Sequence, residues 1–579
     1  MLELNPGVIL IVGALLMPIL PHVARGLLGV LLPLLALYQL ISLPRGELGT
    51  ITLFDLQLVT LRIDDLSFPF AIVFLIAAVI AAVYSLHVRG WVQHMSQQMY
   101  AGAAIAAVLA GDLVTLFVFW EITAITSVFL IWAIGSERAY NVGMRYLIVQ
   151  VGSGVLLLAG VMMHAQANGS IAFDTLAKIT VSGTGDVPLS AWLMLIGIGV
   201  KAAFPILHAW LPDAYPEATP TGAVWLSAFT TKLAIYTLAR GYPGSDLLIP
   251  IGAVMVIFPL VFAMVADDLR RVLSYALINQ LGFMVIGVGI GTELAIAGVA
   301  ANAFGHVIYK SLLFMALGAV LLQTGTAKAS ALGGLHRTMP ITVTCGVLAM
   351  LSISVPLFSG YVAKTLIMSA AMKHDVAWLY LLLLFGSVGV FVTAGIRVAY
   401  EAYFRTPTAA NATRDQAGDP PWNMQLAMAL GAVVSIAVGL NPSALYAILP
   451  GDISYPAYKP DKVLAQLQIL LFAALGFALM VRFGLYRSPV PSRVTDADWF
   501  YRTLGYNIAS TLLLMLAGAW KTISEAGSNF VNYAEQSIGR THNPDGILGR
   551  TWSTGFMAFV ATLMLAVYLL IFYAREFSR

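Results

Sequence analysis

Long apolar runs follow one another along almost the whole chain and are separated by short polar stretches. Each run of about 17–25 mostly apolar residues is long enough to cross a hydrocarbon core of about 30 Å as a helix. The pattern predicts fourteen helices, over residues 6–22, 26–42, 68–87, 99–118, 119–135, 140–165, 190–211, 221–240, 246–266, 271–290, 294–322, 340–372, 377–400 and 424–449. We number these predicted spans 1 to 14, and we expect no β-strand among them.

The end of the chain departs from this pattern. Further spans are predicted near 464–483 and 552–574, and 499–535 lies between them. Within it, apolar residues recur every four positions, at Phe500, Leu504, Ile508, Leu512 and Leu516. Such a stripe covers one face of a helix, so the sequence favours an interfacial helix about 55 Å long, lying along the membrane. A true span through 504–520 remains the alternative.

The amino-acid composition also indicates a membrane protein. The 579 residues are 59% hydrophobic and 10% charged, with a mean hydropathy of +0.86, whereas soluble domains carry about 25% charged residues. The chain is therefore predicted to be an all-α polytopic membrane protein. A net charge of +3 gives no support for nucleic-acid binding, and the single cysteine, Cys345, excludes an internal disulfide framework. Residues 6–22 lack a basic n-region, so we expect a first membrane helix there and no cleavable signal.

The basic residues indicate the orientation of the spans. If the N-terminus is outside, Lys and Arg on the cytoplasmic side outnumber those on the other side by about two to one. Four lysines fall on neither side because they lie inside predicted spans. These are Lys201, Lys232, Lys310 and Lys364.

Buried charges are the strongest functional signal in the sequence. A charge at the bilayer centre costs roughly 2.5–3.5 kcal/mol on insertion scales, and two further ionisable residues, Glu121 and His306, also lie within spans. A buried lysine loses its charge readily and regains it near a carboxylate. A line of such groups can therefore pass a proton, and Glu121 is the acid placed to pair with Lys201. His306 and Lys310 are four residues apart and share one helix face.

Structural interpretations compete with this one. A lone lysine near a helix end usually snorkels to the interface, and Lys310 is compatible with either role. His306 could serve only in helix packing. Three polar residues lie beside a predicted helix break, namely His208, Asp213 and Glu217. They either line a functional cavity or only surround the break.

Two spans are predicted to be broken. Pro205 and Pro212 follow Lys201 in span 7, and Pro356 and Gly360 precede Lys364 in span 12. Interrupted helices in corresponding halves of a membrane chain point to inverted repeats with an ion site near the midplane. The freed backbone groups must line a cavity or be buried in protein, and each break lies next to a lysine.

Five motifs carry a resemblance to a known family. They are GDLVTLFVFWEITAITSVFLI, KAAFPILHAWLPDAYPEATPTGAVWLSAFTTKLAIY, DDLRRVLSYALINQLGFM, GHVIYKSLLF and PLFSGYVAKTLIM. In order, from about residue 70 to 400, they resemble the antiporter-like subunits of Mrp-type cation/proton antiporters, respiratory complex I and membrane-bound hydrogenases. The resemblance implies a core of fourteen helices, with two inverted five-helix repeats (helices 4–8 and 9–13) and discontinuous helices 7 and 12.

The resemblance also implies roles for individual residues. Glu121 and Lys201 correspond to the glutamate–lysine pair of helices 5 and 7, and Lys232 to the connecting lysine of helix 8. His306 and Lys310 match the central polar positions of helix 11, and Lys364 matches the ionisable residue of helix 12. Tyr215 is a departure, since a histidine often stands there in the family, so no role in proton uptake is expected at this position.

The implied domains follow these spans. They are 1–98 (spans 1–3), 99–240 (first repeat), 246–403 (second repeat), 424–483 (spans 14 and 15), 499–535 (lateral helix) and 552–574 (final span). The C-terminal extension is more similar to the distal membrane arm component of complex I and to some hydrogenase components than to a minimal Mrp antiporter component.

The sequence leaves one leading hypothesis of function and three rivals. The leading one is a proton-translocating subunit of a multisubunit complex in the bacterial cytoplasmic membrane that performs Na⁺/H⁺ antiport, with other membrane subunits, lipid, H⁺ and Na⁺ or K⁺ as partners and no cofactor or metal. Its alternative is a proton pump within a larger complex, powered by redox chemistry in partner subunits. An enzyme that itself binds NADH or quinone is disfavoured because GVGIGT at 287–292 lies inside an apolar helix and follows no strand. A scaffold with a dead channel is disfavoured because each buried lysine would cost less as leucine.

Overall fold

The computed structural model describes residues 4–53, 56–180, 187–373, 377–406, 417–486, 496–497, 499–543, 546 and 552–576. The chain divides into two compact units, residues 1–496 and 497–579. In the described parts, twelve helices are long and apolar enough to cross a membrane. The chain is thus a multi-pass membrane protein dominated by helices.

The first unit is a bundle of helices with one β-hairpin. Its helices, in chain order, are α1 Pro6–Ala14, α2 His22–Ser42, α3 Ser67–Tyr84, α4 Trp91–Val108, α5 Leu113–Trp132, α6 Glu137–Asn168, α7 Leu189–Lys201, α8 Trp210–Ala214, α9 Pro220–Ala228, α10 Thr230–Gly241, α11 Leu248–Val265, α12 Leu269–Ile290, α13 Glu293–Thr324, α14 Pro340–Leu351, α15 Ser359–Lys373, α16 Ala377–Val390, α17 Arg397–Ala399, α18 Trp422–Leu440, α19 Pro442–Tyr446 and α20 Pro460–Arg482. Short 3₁₀ turns cover Tyr215–Glu217 and Ala329–Ala331, and π-helical turns cover Phe391–Ile396 and Tyr400–Phe404.

Helix α13 lies at the centre of this bundle. It packs against α3, α9, α12, α14, α15 and α18, and 89% of its most apolar 18-residue window is buried. Only 11% of the corresponding window of α20 is buried. Polar groups on α13 are therefore enclosed by protein, whereas α20 lies at the periphery of the unit.

The second unit contains a π-helical turn at Phe500–Gly505, α21 Tyr506–His542 and α22 Thr554–Glu576. Helix α21 has 37 residues, so it is about 55 Å long. It overlaps the predicted lateral helix and extends beyond its predicted end at residue 535.

A β-hairpin corrects the expectation that the chain has no strands. Strands β1 Gly46–Leu53 and β2 Leu56–Ile63 pair antiparallel, with Ile51 opposite Leu58 and Leu53 opposite Leu56. Apolar residues alternate through this stretch, and alternation is the pattern of a strand with two unlike faces. The prediction missed the hairpin because it rested only on apolar runs long enough to span a membrane.

The boundary between spans 4 and 5 also differs from the prediction. Helix α4 begins at Trp91, before the predicted start at 99, and α5 begins at Leu113, before the predicted start at 119. Asp112 sets the start of α5 because its carboxylate accepts hydrogen bonds from the backbone N–H groups of Val114 and Thr115. Glu121 consequently lies well inside α5 and not at its beginning.

An ion-pair cluster joins the hairpin to the end of α10. Arg240 donates to both oxygens of Asp64 at 2.8 and 2.7 Å, and Arg62 lies 3.5 Å from the same carboxylate. Burial alone would raise the pKa of Asp64, but the charges of Arg240 and Arg62 and the Ser67 N–H outweigh it and hold this pKa below its usual range. The cluster therefore stabilises the folded unit when Asp64 is ionised.

We expect Asp64→Asn to remove a pH-dependent part of the stability. Because the folded pKa lies below the unfolded one, this stabilisation is complete above about pH 5 and is lost as the pH falls below about 4. The wild-type unfolding midpoint should therefore drop more between about pH 6 and about pH 3.5 than that of Asp64→Asn, measured by fluorescence in detergent. Asp65→Asn is the matched control, since the Asp65 side chain is 75% exposed. Equal acid sensitivity of wild type and Asp64→Asn would contradict the assignment.

Candidate functional site

Two helix interruptions frame the site. The first, between α7 and α8, contains Ala203 (φ 60°) and Ile206 (φ 72°), and the second, between α14 and α15, contains Leu357 (φ 77°). Among the described residues, these are all the non-glycine residues with positive φ. Such a backbone costs roughly 1–2 kcal/mol per residue and persists where the surroundings hold it in place. The interruptions coincide with the breaks predicted in spans 7 and 12.

Lys201 ends α7 at the first interruption and is fully buried. Its Nζ donates to the Trp120 carbonyl at 2.7 Å and to the Thr123 hydroxyl at 2.9 Å, and it lies 4.3 Å from the centre of the Trp120 ring. Glu121 directs its carboxylate toward α6, where a Cβ built on Gly154 would lie 1.5 Å from Glu121 Oε1. Lys201 therefore contacts α5 at Trp120 and Thr123, whereas the Glu121 side chain extends from α5 to α6.

The expected Glu121–Lys201 ion pair is not formed as a direct contact. Among the ion pairs of the described residues, none joins these two side chains within 4.0 Å. Lys201 instead bonds the Thr123 side chain, which is two positions and therefore about 200° around α5 from Glu121. The buried Glu121 Oε1 has no hydrogen-bond partner in the described part of the chain. An electrostatic interaction between the two groups remains.

Lys232 lies at a kink between α9 and α10. The kink is centred on Phe229, and the fully buried Lys232 Nζ donates to the Ser227 carbonyl at 2.5 Å. Thr231, beside it, has a buried hydroxyl without a hydrogen-bond partner among the described residues. The predicted continuous span 8 is thus two helices, and its lysine is directed to the junction.

A stripe of polar side chains runs along α13. Asn302, His306 and Lys310 are spaced four residues apart on one face, and each is fully buried. Within the described residues, the amide of Asn302, both ring nitrogens of His306 and the Nζ of Lys310 have no hydrogen-bond partner. Buried polar groups are almost always hydrogen-bonded to protein or water, so this stripe is an unusual concentration of hydrogen-bonding groups that the neighbouring helices leave unused.

Lys364 completes the series at the second interruption. Its Nζ donates to the Ser354 hydroxyl at 2.9 Å, inside the break between α14 and α15. Electrostatic interactions link Lys310 to both Lys232 and Lys364, and His306 interacts with all three lysines. The structure therefore brings four of the six predicted residues into one electrostatic cluster on α10, α13 and α15. Lys201 and Glu121 lie at α7 and α5.

Polar groups continue from Lys364 toward one surface of the bundle. Next to it in α15, the Thr365 carbonyl accepts a hydrogen bond from Tyr455 at 3.3 Å. The Tyr455 hydroxyl also contacts Ser369 at 2.7 Å and Lys462 at 2.8 Å. Tyr455 lines a polar cavity of about 250 Å³ together with Glu293, Lys373 and Asp452. Polar side chains thus lie between α15 and the surface, next in sequence to Lys364.

Each of the three residues beside the first interruption has a polar partner. His208 Nε2 lies within hydrogen-bond distance, 3.0 Å, of Asp496 Oδ2. Asp213 pairs with Arg145 at 2.9 Å, and Glu217 pairs with Arg138 at 2.6 Å. These residues fix the segment after the break against its neighbours, and their role in lining a cavity stays a prediction.

Tyr215 lies in the same segment. Its hydroxyl donates to the Leu226 carbonyl at 2.7 Å, and its side chain is fully buried. Its observed contacts therefore hold this segment against α9.

Sequence reasoning missed several polar partners in the site. Thr123 and Ser354 bond the buried lysines, and Asn302 extends the α13 stripe. Asn302 had a usable signal, because it precedes His306 by four residues on the same face. No sequence signal identifies Thr123 and Ser354, since hydroxyl residues are common in membrane helices and only the tertiary packing brings these two to the lysines. In the described ranges, no group of three or more His, Cys, Asp or Glu side chains is arranged to hold a metal ion.

Comparison with known proteins agrees with this architecture. Residues 110–391 match the family model described as NADH:quinone oxidoreductase/Mrp antiporter, TM. A Na⁺/H⁺ antiporter subunit from Alkalihalophilus pseudofirmus is 31% identical over 281 residues, which are 46% of this chain and 57% of that protein. An NADH-quinone oxidoreductase subunit from Desulforudis audaxviator is 30% identical over 309 residues, 51% of this chain and 61% of that protein. The chain thus spans about three fifths of the length of these two relatives.

The fold is shared with a solved complex. A chain in the Mrp complex from Dietzia superposes with a TM-score of 0.69 and 22% identity, over 98% of this chain and 62% of that chain. An identity this low establishes the fold alone.

The fold and the buried polar series define a multi-pass integral membrane protein built on interrupted helices that carry lysines. Residues 110–391 of the chain are similar to the NADH:quinone oxidoreductase/Mrp antiporter transmembrane family. The resemblance found in the sequence is thereby confirmed, and so is the antiporter-like helical fold.

Proposed function

We propose that this chain is a proton-translocating subunit of a multisubunit complex in a bacterial cytoplasmic membrane, exchanging H⁺ for Na⁺. Protons would move along six groups, which are Glu121, Lys201, Lys232, His306, Lys310 and Lys364. Support comes from the family match together with the relative named as a Na⁺/H⁺ antiporter subunit.

One observation carries the proposal. Lys310 and His306 are fully buried at the centre of the bundle, and their nitrogen atoms have no hydrogen-bond partner among the described residues. A lysine kept only for stability would be bonded, since an unpaired buried charge costs several kcal/mol. A lysine that exchanges its proton with water and with neighbouring bases needs hydrogen-bonding positions that the protein does not occupy, because each transfer forms a new hydrogen bond.

Electrostatic interactions would gate the transfer. When Glu121 is ionised, its charge favours the protonated form of Lys201, and neutralising Glu121 favours proton release. Lys232 and Lys364 each interact with Lys310, so a proton held at one site lowers the proton affinity of the next. From Lys364, the side chains of Tyr455 and Lys462 would lead protons to the surface.

The domain organisation is part of the proposal. We place inverted repeats at 99–240 and 246–403, because each contains a broken helix as its fourth span and a buried lysine near the break. Residues 1–98 and 424–483 would flank the repeats. Residues 499–535 would lie along the membrane, and 552–574 would cross it.

Glu121→Gln provides the test. We expect Na⁺-dependent proton movement to fall by about 100-fold, the contribution typical of a positioned proton-transfer group. The measurement is dye fluorescence in everted vesicles from an antiporter-deficient strain that expresses the whole operon, with assembly checked by co-purification. Glu137→Gln is the matched control, because Glu137 is exposed at the start of α6. Intact transport in an assembled Glu121→Gln complex would remove Glu121 from the proposed path.

A second candidate is a proton pump powered by redox chemistry in partner subunits of a larger complex. The 30% identity to the quinone oxidoreductase relative favours it, since it nearly equals the 31% identity to the antiporter relative. The two candidates differ in their driving force. Proton movement that persists when choline replaces Na⁺ and requires an electron donor would support the second.

A further inference from the structure

A cavity of about 770 Å³ lies at the periphery of the first unit, between α14, the π-helical turns 391–396 and 400–404, and α20. Its lining is apolar except at one end, where Arg482 is its only charged member among the described residues. Two other lining residues, Leu471 and Phe404, are 67% and 48% exposed, so the cavity is open to the outside of the bundle. It does not include any of the six residues of the proposed proton path.

Polar contacts fix α20 on both sides of this cavity. Near its beginning, Gln466 donates to the Ser354 carbonyl at 3.3 Å. Just beyond its end, the Tyr486 hydroxyl donates to Glu401 at 2.6 Å and accepts from Arg397 at 3.2 Å. Between these contacts the helix stands away from α14. The cavity is therefore held open by the packing of the unit.

The contents of the cavity follow from its place in the membrane. Helix α20 is apolar enough to span, and an apolar cavity stays dry because water needs polar partners. The cavity opens to the outside of the bundle beside this apolar helix. Acyl chains of the surrounding bilayer are the apolar groups that reach it there.

The charge at one end selects the headgroup. Arg482 is the last residue of α20 and is exposed, with no hydrogen-bond or ion-pair partner in the described part of the chain. An arginine at the end of a spanning helix lies at headgroup level, and guanidinium binds phosphate with paired hydrogen bonds. In a zwitterionic lipid the cationic amine of the headgroup offsets the phosphate charge, so the arginine favours a lipid with a net negative charge. We propose that the cavity is a binding site for an anionic phospholipid, with its acyl chains against α14 and α20 and its phosphate on Arg482.

Photolabelling tests the proposal in the assembled complex. The complex is reconstituted in phosphatidylethanolamine vesicles that contain phosphatidylglycerol with a diazirine in one acyl chain, and labelled peptides are mapped by mass spectrometry. We expect labels on α14, on 391–404 and on α20. Ala474→Trp, which fills the cavity, should abolish these labels, whereas Leu475→Trp should not, because Leu475 is 53% exposed and does not line the cavity. Ala478→Trp replaces Ala474→Trp if that variant fails to assemble.

The headgroup has its own measurement. Arg482→Gln should reduce labelling by the phosphatidylglycerol probe about five-fold, the effect expected for one basic residue near an anionic lipid. Labelling by a phosphatidylcholine probe should change little, and Lys459→Gln, at the other end of α20, should change neither. Equal labelling of the Ala474→Trp and Leu475→Trp variants would overturn the site. A cross-link from the cavity to a partner subunit, with no lipid label, would also overturn it.

Discussion

Lys310→Leu should abolish proton movement while leaving the complex as stable as the wild type or more so. Lys310 is fully buried, and its Nζ has no hydrogen-bond partner among the described residues. Leucine of similar volume removes a poorly compensated polar group, and such replacements are often neutral or stabilising. The loss of a proton-transfer group should reduce the rate of transport by about 100-fold or more. Vesicle transport and the unfolding midpoint of the purified complex are the two measurements.

Transport and the unfolding midpoint together distinguish a functional role of Lys310 from a structural one. Lys521→Leu is the control, because the Lys521 side chain is 78% exposed on α21, and it should change transport little. A lysine kept for structure would give the opposite pair of results, with a lower unfolding midpoint and transport lost only in proportion to the missing complex. That outcome would contradict the proposed role of Lys310.

Gly154→Ala should impair transport through Glu121 without altering any ionisable residue. A Cβ at position 154 would lie 1.5 Å from Glu121 Oε1 and 2.5 Å from its Cδ, so the carboxylate must move. A displacement of about 1 Å can cost about 100-fold when a proton must be transferred. We expect transport to fall by this order while the complex assembles. The measurement is the initial rate of Na⁺-dependent proton movement.

Gly152→Ala is the matched control on the same helix. No atom lies within 4 Å of a Cβ at that position, and alanine favours helix over glycine by about 1 kcal/mol. Transport should therefore be unchanged. Equal rates in the two variants would show that the position of the Glu121 carboxylate is not critical.

The sequence was sufficient to predict the features that depend on local chemistry. Proline in spans 7 and 12 predicted the two interruptions, because proline removes a backbone donor and clashes with the preceding turn. The buried lysines were evident because a charge inside an apolar run is costly. Their approach around α13 was not evident, since it depends on how distant helices pack.

Local signals were also overlooked or insufficient. Asp112 is a predictable N-cap in LAGDLVTLF, and it indicates a helix start six residues before 119, which puts Glu121 well inside the helix. The prediction of a direct ion pair between Glu121 and Lys201 was wrong for another reason. The lysine contacts α5 at Trp120 and Thr123, whereas the glutamate side chain extends to α6, and a sequence does not specify which backbone carbonyl a lysine will choose.

The β-hairpin bears on the order in which the chain is built. Strand β2 also forms backbone hydrogen bonds with the segment after α4. The Arg62 N–H donates to the Leu109 carbonyl at 2.7 Å, and the Val59 carbonyl accepts from the Gly111 N–H at 2.8 Å. Arg62 also reaches the Phe173 carbonyl, more than a hundred residues further along the chain. Synthesis delivers the hairpin before α5 and α6 exist. The bonds to Leu109 and Gly111 need only the end of α4, whereas the bond from Arg62 to Phe173 forms only after both α5 and α6 have been made. Docking of the hairpin is therefore completed late in biogenesis, when the segment after α6 is in place.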